Sequence, residues 1–509
     1  MRALLRGRWI RDACLLLAVL LVTDYLLDRA VYSPRIPLAE RLIAPIPCAD
    51  TQSVPLSPTR LERHAVAAAA LAELSLFADG VGMNSTPAVS FSSFEFSDNT
   101  GWKGFPAREI RRLTMGLYSD GASDVTGFLD RRHEGVRSVV TGCATCHLGR
   151  VLGRNVPGLG NKNIDPAGLG QWIERLDWLS LLPLPIDRSA AAKRLQEQSL
   201  RMAGRLHTPG ISNETQGLVP VAQTARWFYE SAGEPLPAGM TPAATKVPHL
   251  WGYAEKLPVG LFCDGMGDGE HAAWAAVVEL AAGNSVANIR ANQERILAAE
   301  RSFGDLLPPA YPLAINWARA AEGRAVFAEH CQSCHGEYQR DASGLAIFQP
   351  PQRCSVEEIS TDPDRANLLT REFVSIVRRG PLNDLIRIHP KFQPGYLAPR
   401  LEGVWARFPY LHNGSVPNIA ELLTDPAERS EAFDLAHAGE LHRFDEHSLG
   451  LTTAANSSPE YRRLLAGANR GVRSIYLTTR LGHSNAGHAF GIELPAKDKR
   501  SLIEYLKTL

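Results

Sequence analysis

Apolar and polar positions follow helical spacing in several stretches of this chain. From Thr59 to Phe77 the segment TRLERHAVAAAALAELSLF is dense in Ala and Leu and predicts a helix. A longer stretch from about Glu270 to Arg301 predicts helix with a break near Gly283-Asn284. Ile315 to His330 (INWARAAEGRAVFAEH) predicts an amphipathic helix that runs directly into Cys331. The closing segment, Pro495 to Leu509, puts Leu502, Ile503, Tyr505 and Leu506 on one face. Between these stretches lie many Gly, Pro and Asn turns around short helices, and Leu306 to Pro312 (LLPPAYP) reads as an interdomain linker. At the N-terminal end Arg2, Arg6, Arg8 and Arg11 precede an apolar run from Ala13 to Val22. That run is short for a membrane span and fits the apolar region of an export signal, so residues 1–27 are expected to be a signal peptide or an uncleaved N-terminal anchor. A buried helix would not need four arginines directly upstream.

Two pentapeptides add chemistry to this pattern: Cys143-Ala144-Thr145-Cys146-His147 and Cys331-Gln332-Ser333-Cys334-His335. Cys-x-x-Cys-His is the attachment sequence for c-type haem, in which two thiols form thioethers to the vinyl groups and the imidazole is the proximal ligand. A zinc site would need a second pair of ligands near each motif, and a thioredoxin-like dithiol has no use for the following His. Two motifs 188 residues apart therefore imply two covalently held haems, with Cys143, Cys146, Cys331 and Cys334 as attachment points and His147 and His335 as proximal ligands. Arg150–Gly153 and Pro157–Asn161 read as a loop over one haem edge. Of the eight cysteines the remaining four are Cys14, Cys48, Cys263 and Cys354. Cys14 lies in the N-terminal segment; the other three read as buried thiols, with room for one disulfide.

The occupant of each iron's sixth position decides its chemistry. For the second haem the candidate is His488, in the Gly-rich stretch Gly482 to Gly491, with His483 as its competitor. For the first haem Met202, His207, Met240, Met266 and His271 are all available and none stands out.

Length and composition narrow the picture only a little. At 509 residues the chain has room for two or three domains, and 45% hydrophobic with 21% charged residues is ordinary for a globular protein. With 54 basic and 54 acidic residues the formal net charge is zero, which speaks against a nucleic-acid partner.

These motifs and three further segments resemble the bacterial di-haem cytochrome c peroxidase superfamily, which includes MauG, and above all its branch of RoxA-type di-haem rubber oxygenases. Phe408 to Pro417 (FPYLHNGSVP) looks like that group's signature, Tyr396 to Trp405 (YLAPRLEGVW) like the stretch before it, and Asn485 to Gly491 (NAGHAFG) like the loop that bears the second haem's distal ligand. The resemblance covers roughly residues 140–509. It implies a mainly α fold of two cytochrome c-like haem domains with long loops and few short strands. The boundaries expected are a linker and N-terminal helix over 28–79, a first, catalytic haem domain over 80–305 and a second, electron-transfer haem domain over 313–509. It implies His488 as the second haem's distal ligand and Trp251 as an electron relay between the haems, with a packed core Trp as the plainer alternative. His412 looks structural. Phe262 to Gly267 is the place to look for distal residues of the first haem, and calcium occurs between the haems of related peroxidases. Departures are a shorter chain than the rubber oxygenases and no match for the peroxidases' distal His. The expected function is an exported, periplasmic oxidoreductase that transfers electrons and activates peroxide or O2 at the first haem. Its electron donor would be a small redox protein or a small molecule. A non-catalytic electron carrier and a haem-based redox or gas sensor stay open as alternatives.

Overall fold

The computed structural model describes residues 58–73, 86–87, 128–133, 136–141, 143–177, 190–206, 215–267, 274–281, 285–341, 344–347, 351–385 and 394–509. The expected signal or anchor at 1–27 and most of the expected linker lie outside these residues. Among the described residues no helix is long and apolar enough to cross a membrane.

Helix makes up 44% and strand 11% of these residues, so the fold is mixed rather than mainly α. The strands are two to six residues long and form six two-stranded sheets and one three-stranded sheet. They are local hairpins and pins that fix loop geometry, which hydrophobic periodicity does not reveal in pieces this short. The expected loop at 150–161 is one of them. Leu148–Val151 pairs antiparallel with Arg154–Pro157, and Leu152 and Gly153 turn between them with φ of 51° and 75°. Positive φ at both turn residues is the hairpin geometry that matches strand twist.

The predicted helices are present. Pro58–Glu73 is the first described, and the stretch expected to break near 283 consists of Trp274–Ala281, Val286–Ala291 and Gln293–Phe303. Trp317–His330 starts where the Asn316 side chain accepts the Arg319 N–H, and it delivers Cys331. The closing helix, Ala496–Leu506, crosses it at close range. A Cβ on Gly323 would stand 1.8 Å from the Ser501 carbonyl oxygen, so the crossing requires glycine there. Phe327 and Tyr505 seal the contact with ring centroids 5.2 Å apart. This is the crossed helix pair expected of a cytochrome c fold.

One apolar core runs through both halves, joining Val151, Leu159 and Trp251 to Phe327, Trp405 and Leu502. The segment expected to be a linker lies in it. Leu306, Leu307, Ala310 and Tyr311 are buried, and Pro309 accepts the Trp405 indole N–H at 3.0 Å. Its prolines break helix, as the sequence indicates, but its Leu and Tyr side chains gain more from burial than from exposure. A second cluster gathers Trp227, Phe228 and Phe373 edge to face, at 5.0 and 5.9 Å. Polar ties also join early and late segments: Arg150–Glu440 at 2.8 Å, Arg473–Asp165 at 2.6 Å, and Asn163 donating to the Leu435 carbonyl at 2.5 Å.

Candidate haem sites

Both pentapeptides fold as short helices, Cys143–His147 and Gln332–His335 with Cys331 at its cap. None of their four thiols is in a disulfide. His147 Nδ1 lies 3.1 Å from the Pro248 carbonyl oxygen, and His335 Nδ1 lies 3.0 Å from that of Pro399. A carbonyl can only accept, so each Nδ1 carries the proton and each Nε2 keeps its lone pair for a metal. Burial holds His147 down to about 4, with Lys256 adding to the effect and the Pro248 carbonyl opposing it. His335 is lowered by burial too, and by Arg407. Both imidazoles are neutral at pH 7, the form that ligates.

The two prolines belong to matching stretches, Pro248-His249-Leu250-Trp251-Gly252 and Pro399-Arg400-Leu401-Glu402-Gly403. Each meets the other back to back. A Cβ on Gly403 would come 2.6 Å from the Trp251 ring, and one on Gly252 would come 2.9 Å from the Glu402 carboxylate. Trp251 is fully buried and donates its N–H to the Pro157 carbonyl at 2.8 Å. Trp251 therefore sits in the contact between the two histidine supports. The Pro-x-Leu-x-Gly repetition was visible in the sequence and is the signal that would have found both supports.

The second motif has a partner across a cavity. His488 faces His335 with ring centroids 6.3 Å apart. A metal-bound imidazole nitrogen stands ~2 Å from the metal with its ring centre ~1 Å beyond, so two rings on one iron stand ~6 Å apart. The cavity, about 380 Å³, is lined by Cys331, Cys334, His335 and His488 together. Attachment thiols, proximal ring and opposed ring thus share one partly open, mostly apolar space, and these residues fit haem c.

Three features hold His488. Its backbone is left-handed, with φ of 47°, and its N–H donates to the Ile359 carbonyl at 2.8 Å. The buried Arg429 guanidinium donates to the carbonyls of Asn485 at 2.6 Å, Gly487 at 2.9 Å and His488 at 3.2 Å. Asn413, in the signature stretch, donates to the carbonyls of Gly482 and Ser484 at 3.2 and 3.0 Å. Burial, then His335 and Arg429, bring His488 down to about 4, and its Nδ1 is buried without a hydrogen-bond partner. Arg429 and Asn413 act through backbone carbonyls, which leave no spacing pattern, and so the sequence alone did not mark them. His483, the competitor, is turned away: its Nδ1 faces the Leu477 carbonyl at 3.3 Å and its ring lies on Tyr476. His412 stacks on Tyr396 at 4.3 Å, while its carbonyl accepts from Lys246 N–H, the structural part expected of it.

The first motif is supported in the same way below but differs above. No imidazole among the described residues stacks opposite His147 as His488 does opposite His335. His207 and His271, and the Met202 side chain, lie outside the described residues. Met240 and Met266 pack in the second apolar cluster, against which Cys143 also rests. Phe262 packs against the same cluster as Cys143, and Phe262 and Cys263 also line the cavity of the second motif, where the Cys263 carbonyl accepts from Leu397 N–H at 2.7 Å. The pairing of Asp264 with Arg365 at 2.6 Å ties that turn to the C-terminal half. Among the described residues no group of three or more His, Cys, Asp or Glu side chains is placed to hold a metal ion such as calcium.

The crossed helices, the attachment motif and the opposed imidazoles are consistent with a cytochrome c-like domain in the C-terminal half. Residues 395–434 match a family described as RoxA-like, cytochrome c-like, which agrees in part with the resemblance and points to covalent haem c and a haem-based redox function. Two Sinorhizobium fredii proteins are similar. One, named "Uncharacterized protein y4iM", is 30% identical over 254 residues, 41% of this chain and 52% of its own. The other, "Uncharacterized protein y4iJ", is 29% identical over 273 residues, 42% of this chain and 43% of its own. The chain thus spans about half the length of these curated relatives.

Proposed function

We propose that this protein is an exported di-haem c-type cytochrome with oxidoreductase activity, in which the second haem transfers electrons and the first activates peroxide or O2. The asymmetry of the two sites among the described residues carries the reading: alike on the side of Pro248 and Pro399, but with an opposed imidazole described only at the second. Haem c supplies one-electron transfer and, where one axial position is free, a place for a small oxidant to bind. The chain supplies the rest. Pro248 and Pro399 orient the proximal imidazoles and keep their Nε2 lone pairs free. Arg429 and Asn413 fix the His488 loop, so that His335 and His488 would both be available to ligate the iron of a haem attached at Cys331 and Cys334. Trp251, buried where the two supports meet, is the candidate relay between them. Thioether attachment outside the bacterial cytoplasm and the arginine-led apolar run at the N-terminus support export to the periplasm.

Carbon monoxide added to the reduced protein, made in a host that attaches haem c, tests this reading. Two haems by pyridine haemochrome, with half of the haem shifting its Soret band, is the expected result. Two haems that both ignore carbon monoxide would make the chain an electron carrier instead.

A further inference from the structure

The cavity that holds Cys331, Cys334, His335 and His488 has a strongly one-sided wall. Lys162, Lys246, Lys256, Arg365, Arg400 and Arg407 line it, and among the described residues no Asp or Glu does. Two of the six have carboxylate partners behind the wall: Arg365 with Asp264 and Arg400 with Glu402. The other four make no ion pair among the described residues, although Glu402 also attracts Lys256 and Arg407 from farther away. Lys162 donates to the Arg150 carbonyl at 3.1 Å and lies 4.3 Å from the Phe408 ring centre. Lys246 donates to the carbonyls of Arg407 and Pro409 at 2.9 and 2.6 Å. Lys256 donates to the His249 carbonyl at 3.0 Å, and Arg407 to carbonyls of Arg400 and Glu402. Carbonyl dipoles stabilise a buried ammonium only in part, so this wall is short of negative charge. Burial brings Lys162 and Lys256 down to about 7, as that shortage requires.

We propose that Lys162, Lys246, Lys256 and Arg407 form a seat for a pair of carboxylates, namely the two propionates of the haem attached at Cys331 and Cys334. This rests on the haem reading of the preceding subsection. The macrocycle carries its vinyl groups on one edge and its two propionates on the other. Once the cysteines take the vinyl edge, two carboxylates remain to be placed in a cavity whose charged lining, among the described residues, is all cationic. Ammonium and guanidinium donors to carboxylate are the strong, charge-assisted kind of hydrogen bond. Lys256 also bears electrostatically on His147, and Arg407 on His335, so the seat lies where both sites feel its charge.

The test uses the haem-loaded full chain with Lys162→Met, Lys246→Met, the charge-keeping Lys246→Arg, and exposed Lys497→Met as control. Haem is counted first by pyridine haemochrome. Resonance Raman propionate bending bands and the midpoint potential of the second haem are then compared. Expected are shifted propionate bands and a lower potential in both Met variants, near-wild-type values in Lys246→Arg, and no change in Lys497→Met. Full haem content with unmoved bands and potential in both Met variants overturns the seat. A wild-type spectrum that shifts on adding succinate, with the shift lost in Lys246→Met, also overturns it, because the wall then takes a free dicarboxylate. A colourless wild-type protein overturns the haem reading, and this proposal with it.

Discussion

On their proximal sides the two haem motifs are built alike: a short Cys-x-x-Cys-His helix, an imidazole Nδ1 on a proline carbonyl, and a Pro-x-Leu-x-Gly stretch packed against its counterpart. On the opposite side they diverge. Facing His335 is His488, on a loop clamped through its carbonyls by Arg429 and Asn413. Facing His147, the described residues bring no such ring. The lesson is that the proximal supports repeat, whereas the described residues place an opposed ring at the second motif alone. The His488 loop hangs on the buried polar side chains of Arg429 and Asn413 rather than on a regular element, so it can change without disturbing the shared core.

The comparison breaks most decisively at attachment. Cys331→Ala with Cys334→Ala, and separately Cys143→Ala with Cys146→Ala, should each remove one haem mass from the polypeptide by intact mass spectrometry; unchanged mass in either pair denies that site. Next in size is His488→Ala. It should convert the second haem from low-spin to high-spin and let it bind carbon monoxide, making the two sites behave alike, as seen by absorbance of the reduced protein. Gly323→Val forces a side chain onto the Ser501 carbonyl at the helix crossing, and overpacking of this kind costs about 3 kcal/mol or more. Loss of thermal stability, with greater loss of haem from the second site than from the first, is the expected outcome. Arg429→Met leaves carbonyls of the His488 loop without donors and should cost about 3 kcal/mol in denaturant unfolding. The same variant should raise the high-spin share of the second haem alone.

A smaller effect concerns pH. Burial, helped by Arg60, holds His64 at about 4 in the folded chain, against 6.5 when exposed. The unfolded chain therefore binds the extra proton first as pH falls, and the stability due to a neutral His64 is full above 6.5 and lost between 6.5 and about 4. His64→Gln should remove about 2–3 kcal/mol of the stability difference between pH 7 and pH 4.5, measured by urea titration at the two values. An unchanged difference would show that His64 does not titrate on unfolding.

Much of this architecture was legible in the residues. The pentapeptides announce themselves, and the helices at 317–330 and 496–506 follow from apolar spacing because each buries one face. His488 stood out because it lies in a glycine-rich loop like the one that bears the distal ligand in the RoxA-type branch. What stayed hidden is tertiary. The hairpin at 148–157 and the other short strands have too few residues for a period. The segment 306–312 carries proline signals of a linker yet is buried by its Leu and Tyr side chains. Arg429, Asn413 and the cationic wall act across long sequence separations through carbonyls and charge, which no local pattern encodes.

Electron paramagnetic resonance of the ferric haem-loaded protein tests the difference between the two sites most directly. The account predicts one low-spin signal of a bis-imidazole haem, lost in His488→Ala, beside one high-spin signal that changes when peroxide is added. Two low-spin signals indifferent to peroxide, or a low-spin signal that survives His488→Ala, would contradict it.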